Sequence, residues 1–202
     1  MPLLSGEIID RIAVTINRQV ITELQVDEEL RVTALLNHQL IVRDVEARRT
    51  AAHRLIEQLF VKHEMELSHY PLPEAEEIDG YLQQVRTDFG TDSGLDQALT
   101  AYHVSEQTLR DHLSLQLTTL RFIDVRFRPK DDISEADVQN YYRREIAAWK
   151  ANRSAGASAV PPPSIESIRR ALIDARTDEI LNTWLEESRR QASIVYLDKS
   201  LQ

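Results

Sequence analysis

Ile8–Thr22 (IIDRIAVTINRQVIT) is the stretch of sequence that decides the fold. Its apolar, β-branched first part and the second apolar run at residues 20–22 are typical of two strands. Residues 17–19 lie between them, and Asn17 tolerates the left-handed conformation that a tight turn needs. The sequence therefore predicts a β-hairpin. Thr22 is also a plausible helix N-cap with Glu23 in the first turn, so we expect a helix to follow at once.

Leucine-rich segments with helical spacing occupy most of the remaining chain. They predict helices at residues 23–36, 44–67, 74–89, 95–102 and 105–127, from Ser134 through Tyr142 and beyond, and at 164–191. Residues 194–197 (IVYL) form a last, short β-type run. Because a lone hairpin is barely stable in water, we expect this run to join it. The predicted fold is mainly α, a multi-helix domain with a small antiparallel sheet formed by the N-terminal hairpin and the C-terminal strand.

Asn152–Pro163 (NRSAGASAVPPP) is the one low-complexity stretch. Its small residues favour flexibility, and its three consecutive prolines favour an extended end. It therefore divides the chain into a helical region at 7–150, a flexible linker at 151–163, and a C-terminal helix and strand at 164–198. Because the two ends share a predicted sheet, we expect the first and last of these parts to complete one domain.

Composition limits the classes of function. The chain has 202 residues, no cysteine and a formal net charge of −9. An acidic chain repels phosphate, so a nucleic-acid partner is disfavoured. The lack of cysteine excludes a disulfide scaffold, a thiolate zinc site and a cysteine nucleophile. No run approaches the roughly 18 apolar residues of a membrane span, and residues 1–6 are too short for the regions of a signal peptide.

Potentially reactive residues are present without the spacing of a known catalytic motif. The nearest approach to a metal set is His63, Glu66 and His69, and His69 lies beyond the predicted helix end. The HExxH, GxSxG, GxGxxG and Walker-type patterns do not occur in the sequence. We therefore predict no catalytic residues, no metal and no cofactor, and we interpret His63 as a packed core histidine.

Five segments follow one another along the chain, namely Asp10–Thr22 (DRIAVTINRQVIT), Arg54–Leu59 (RLIEQL), Leu99–Arg110, Ile133–Val138 (ISEADV) and Ile165–Leu197. Taken in this order, they resemble SurA-type periplasmic chaperones. The opening hairpin is the strongest part of the match, and it is followed by a helix, a short helix with a serine-containing turn, an ISEADV segment and a terminal helix with its strand.

One departure from the SurA pattern bears directly on activity. Full members of that family carry one or two parvulin-type prolyl isomerase domains between the ISEADV helix and the terminal helix. Here Asn152–Pro163 holds that place, and it is far too short for such a domain. The resemblance thus implies the chaperone core without isomerase activity, and a chain that is not an enzyme.

The resemblance further implies a function and its partners. The chain would be an ATP-independent holdase in the periplasm that binds unfolded outer-membrane or secreted polypeptides during outer-membrane protein biogenesis. We expect the client-binding residues to include Tyr102, Phe122, Phe127, Tyr142 and Trp149. A dedicated adaptor for a single envelope partner is the alternative, and an enzyme of unrecognised chemistry is a third. Residues 152–163 could also act as a hinge for a homodimer formed by strand or helix exchange.

Overall fold

The predicted hairpin is present in the computed structural model, which describes residues 10–68, 70–90, 93–128, 133–154 and 161–202. Strand β1 spans Ile12–Ile16 and strand β2 spans Gln19–Thr22. Asn17 adopts the left-handed conformation, with φ of 53°. Thr22 caps the next helix as predicted, because its Oγ1 accepts a hydrogen bond from the Gln25 amide at 3.2 Å while Gln25 Oε1 accepts from the Thr22 amide at 2.9 Å.

The described residues form seven α-helices, three strands and a short 3₁₀ helix, which confirms the mainly α fold. Helix α6, which spans Glu135–Ser154, continues into the stretch predicted as a linker, while residues 155–160 lie outside the described ranges. The remaining elements are α1 Glu23–Leu36, α2 Val45–Ser68, α3 Ala75–Asp88, α4 Gly94–Tyr102, α5 Glu106–Arg126, α6 Glu135–Ser154, α7 Ile165–Gln191, β3 Ile194–Tyr196 and the 3₁₀ helix Lys199–Leu201.

Strand β3 joins the hairpin as predicted, and the sheet has the order β2-β1-β3 with antiparallel pairing throughout. Val14 lies opposite Ile21 on one side and opposite Tyr196 on the other. Val14 and Ile21 pack into the core, where both side chains are almost completely buried. The C-terminal strand thereby gives the hairpin the third strand that it needs for stability.

The chain divides into two compact units. The first comprises Met1–Phe122 together with Leu185–Gln202, and the second comprises Ile123–Trp184. In the first unit, one apolar cluster joins the sheet to α2, with Val14, Ala52, Ile56 and Leu201 among its members. A second cluster of the same unit joins α1, α3, α4 and α5.

The second unit has its own buried contacts between α6, α7 and the end of α5. Phe127, Val138 and Ile168 are its buried apolar residues within the described ranges. The Phe127 ring lies 5.5 Å from the Trp184 ring, centroid to centroid. An ion pair between Arg169 and Glu135, with Nη2 and Oε2 2.6 Å apart, links α7 to the start of α6.

The structure corrects one prediction on α2. His63 is exposed and is therefore not a core histidine. The buried positions near it are Val61 and Met65, each two residues away. Because successive helical residues are about 100° apart, a side chain two positions from both lies on nearly the opposite face. Leu67, which also lies two residues from Met65, is likewise 63% exposed.

Candidate functional site

The first unit carries an apolar groove between strand β2, helix α2, helix α5 and the segment after α2. It encloses about 390 Å³. A smaller hollow of about 250 Å³ adjoins it and shares the lining residues Lys62, Leu72 and Thr118. The apolar lining consists of Val20, Ile21, Leu55, Leu59, Leu72 and Leu115 in the groove, with Met65 and Tyr70 in the smaller hollow.

The length of the groove follows from the helix that forms its floor. Its α2 lining extends from Leu55 in the groove to Met65 in the adjoining hollow. At 1.5 Å per helical residue this is roughly 15 Å, the length of about four to five residues in extended conformation. The groove therefore matches a short extended peptide segment in length.

The charged lining residues of the groove do not favour a ligand of one sign. Lys62 on α2 and Asp111 on α5 contribute one charge each. Asp111 already accepts a hydrogen bond from Gln107 Nε2 at 2.8 Å. With most of the lining apolar, the groove favours an uncharged, apolar ligand.

The segment after α2 is held in place as one wall of the groove. Arg121 on α5 donates a hydrogen bond from Nη1 to the Leu72 carbonyl at 3.3 Å and also pairs with Glu77 on α3. The Tyr70 ring meets the Phe122 ring edge-to-face, with centroids 6.0 Å apart. These contacts hold Leu72 against the groove while its side chain stays 66% exposed.

The pKa of Glu77 reflects this arrangement. The Glu74 amide donates to Glu77 Oε2 at 2.8 Å, and this hydrogen bond is the main cause that lowers the pKa of Glu77. Burial, the second-largest effect, raises that pKa, and the charge of Arg121 and its hydrogen bond each lower it by a smaller amount. The carboxylate is therefore ionised at neutral pH and keeps Arg121 directed towards Leu72.

The opposite wall is an edge of the sheet. Asn17 N donates to Ser193 O at 2.9 Å and Leu197 N donates to Ala13 O at 2.8 Å, so the odd-numbered residues of β1 direct their backbone groups towards β3. The even-numbered residues of β1, Val14 and Ile16, then bond to their β2 partners Ile21 and Gln19. Because hydrogen bonding alternates along a strand, the N–H and C=O of Val20 point away from the sheet. No described residue pairs with them.

Gln58 adds an unpaired polar atom to the groove. Its side chain is among the lining residues, and its Oε1 is shielded from solvent with no hydrogen-bond donor among the described residues. Leaving a buried acceptor unpaired costs about 1–3 kcal/mol. Such a group is a reason to look for a binding role, because an N–H from a bound molecule would satisfy it.

The five residues predicted to bind clients do not line this groove. Tyr102 and Phe122 lie in the first unit: the Tyr102 hydroxyl donates to the Gln39 carbonyl at 2.8 Å, and Phe122 is 0% exposed beneath Tyr70. Phe127, Tyr142 and Trp149 lie in the second unit, where Phe127 is buried and the other two are partly buried on α6. Phe122 presents no surface to a ligand in this structure, and its contact supports the groove wall.

Sequence reasoning missed the groove residues, although two of them carry a signal. Leu115 lies outside the series Leu109, Leu113, Leu117 and Leu120, which predicts the apolar face of α5 and of which Leu120 is in fact 52% exposed. Leu72 stands between two prolines, which hold an exposed leucine in an extended segment. Gln58 and Val20 carry no comparable signal, because their roles depend on which element lies beside them.

A further hollow of the first unit lies beside the loop between α1 and α2. It encloses about 330 Å³ and is lined by Leu30, Ala34, Leu40 and Val42, among others. Leu40 is 88% exposed and Val42 is 52% exposed. The sheet edge and the Gln58 acceptor belong to the first groove, so we regard that groove as the candidate site. The exposed residues Leu40 and Val42 of the α1–α2 loop provide control positions for substitutions in the groove.

The described ranges bear on two other kinds of site. They contain no group of three or more His, Asp or Glu side chains placed to hold a metal ion, and His69 of the predicted nearest set lies outside them. None of the described helices has the length and apolar character needed to cross a bilayer.

No protein-family model and no curated protein matches the chain.

Proposed function

We propose that this chain is an ATP-independent holdase that binds unfolded polypeptides through the groove of its first unit. The observation that carries the proposal is the apolar groove of about 390 Å³ bounded by an exposed strand edge. The periplasm as its location, unfolded outer-membrane or secreted proteins as its clients, and the lack of prolyl isomerase activity are parts of the proposal that rest on the resemblance to SurA-type chaperones.

The groove suits transient binding. Burying one Leu, Val or Phe side chain contributes about 1.5–3 kcal/mol, and about four to five extended residues span the groove. Alternation along an extended segment directs only two or three of these side chains to one wall. Since association itself costs several kcal/mol, the net affinity is moderate, and a client can leave without nucleotide hydrolysis.

Light scattering of a denatured β-barrel protein diluted into buffer tests the proposal. The unmodified chain is expected to suppress aggregation at stoichiometric ratios. The double variant Val20→Asp/Leu72→Asp places charges on two exposed groove residues, which are 47% and 66% exposed. It is expected to fold normally and to lose most of the suppression, because burying an unpaired charge against an apolar client is unfavourable.

The matched control is Leu40→Asp/Val42→Asp, which adds the same two charges at exposed apolar residues of the α1–α2 loop. It should suppress aggregation as well as the unmodified chain does. Equal loss in both variants would contradict a role for the groove. Failure of the unmodified chain to suppress aggregation would reject the holdase proposal and favour the single-partner adaptor. A prolyl isomerisation assay on the same preparation should show no activity.

A further inference from the structure

Strand β2 offers the groove a backbone hydrogen-bonding edge as well as apolar surface. The N–H and C=O of Val20 point away from β1 and have no partner among the described residues. The Val20 side chain lines the groove and is 47% exposed. A ligand in the groove would therefore meet one free donor and one free acceptor of a strand backbone, in the spacing that another strand satisfies.

The Gln58 acceptor lies in the same groove. Its Oε1 is buried and accepts no hydrogen bond from any described residue. An extended polypeptide carries an N–H at every residue except proline. It can therefore satisfy Val20 with one residue and present a further N–H towards α2, which a compact apolar ligand without N–H groups cannot do.

We infer that the groove binds its client as an added β-strand: a segment of about four to five extended residues pairs with the free edge of β2 at Val20 and donates a further hydrogen bond to Gln58. Recognition by backbone groups gives little dependence on side-chain identity beyond alternating apolar residues. Such recognition suits a protein that handles many unfolded chains. This inference rests on the proposed holdase function and states the form in which the client binds.

Backbone N-methylation of a peptide probe tests strand addition directly. The probe is a seven-residue peptide of alternating Leu and Thr with a fluorescent label, titrated into the full chain by fluorescence anisotropy. Two derivatives carry N-methyl groups either on the Leu residues or on the Thr residues. In a strand, N–H direction and side-chain direction alternate together, so only one of the two sets faces β2.

Strand addition predicts that the derivative whose methyl groups face β2 loses affinity by about tenfold or more, while the other loses at most the roughly fivefold that the Gln58 hydrogen bond contributes. Equal affinity of all three peptides overturns the inference, and so does an equal loss in both derivatives, because neither outcome is specific to one edge of the peptide. If the unmodified peptide fails to bind although the chain suppresses aggregation, the inference fails and the holdase proposal stands. If the peptide does not bind and the chain does not suppress aggregation, both the inference and the holdase proposal are rejected.

A protein variant tests the contribution of the Gln58 acceptor. Gln58→Met keeps the length of the side chain and removes its polar atoms, so folding is preserved. We expect it to weaken binding of the unmodified peptide by about fivefold. The control is Gln97→Met on the exposed surface of α4, which should bind as the unmodified chain does. Full affinity in Gln58→Met would show that Gln58 takes no part in binding the strand.

Discussion

Helix α2 borders two apolar regions of the first unit, and they differ in what lies against the helix. Near its start, Ala51 and Ala52 pack with Leu201 from the chain's own last residues, and Leu201 is only 5% exposed. Further along, the helix forms the floor of the groove, whose residues Val20 and Leu72 remain largely exposed. The first region is closed by the chain itself, and the second is open.

The closed region shows how this fold holds a segment against α2. Leu201 supplies the apolar contact, and Arg48 supplies the polar ones, with Nη2 2.8 Å from Asp198 Oδ2 and Nε donating to Ser200 Oγ at 3.2 Å. The groove offers the same two kinds of contact through its leucines and through the free groups of Val20 and Gln58. The comparison indicates that the closed region stabilises the fold, whereas the open region is available for binding.

Truncating Phe122 should give the largest effect, because this side chain is fully buried and supports the groove wall at Tyr70. Phe122→Ala is expected to lower the free energy of unfolding by about 3–5 kcal/mol, measured by urea denaturation. Phe122→Leu retains most of the volume and should cost much less. A small effect of Phe122→Ala on stability, with a large loss of client binding, would instead favour the client-binding role predicted from the sequence.

Truncating Leu201 should open the closed region. Leu201→Ala is expected to lower the free energy of unfolding by about 2–5 kcal/mol, since it removes a buried side chain from the sheet cluster. Leu197→Ala is the matched control, because Leu197 is 52% exposed a few residues earlier, and its effect should be below about 1 kcal/mol. Equal effects in the same denaturation experiment would mean that residues 198–202 do not seal this region.

Acid should weaken the polar contacts of the closed region through Asp198. Burial acts to raise the pKa of Asp198, but hydrogen bonds from Arg48 and Ser200 outweigh burial and bring the pKa below its ordinary value of 3.8. The folded state therefore binds this proton less readily than the unfolded chain does. The stabilisation is present above pH 3.8 and is lost as the pH falls through the lower folded pKa.

The free energy of unfolding, measured between pH 7 and pH 3, checks this expectation. Asp198→Asn should be less stable than the unmodified chain at neutral pH, and the difference should shrink as the pH falls below 3.8. Parallel curves for the two proteins would rule out Asp198 as a source of the acid sensitivity.

Replacing Gln58 should give the smallest change in stability and the opposite sign. Gln58→Met removes an unpaired buried acceptor from the groove, so the free energy of unfolding is expected to rise by about 1 kcal/mol. Thermal unfolding followed by circular dichroism measures the shift. A decrease in stability would show that the Gln58 amide stabilises the folded chain. Gln58 would then no longer support a binding role for the groove.

Local sequence signals predict the secondary structure well, because each depends on neighbours along the chain. The Asn17 turn, the Thr22 cap and the start of α6 after Ser134 are all of this kind. The third strand was also predictable, since a hairpin needs further pairing. The groove was not, because an apolar residue that lines it, such as Leu59, resembles one that fills the core, such as Ile56. Only the neighbouring elements distinguish the two.

A nuclear magnetic resonance titration of the ¹⁵N-labelled chain with an unfolded, apolar-rich polypeptide tests the central claim most directly. Binding in the groove predicts that the largest shift changes occur at the amides of Val20, Leu59, Leu72 and Leu115, with slower hydrogen exchange at Val20. The α1–α2 loop around Leu40 should change little. Changes centred on that loop or on the second unit, with the groove amides unaffected, would contradict the groove as the client site.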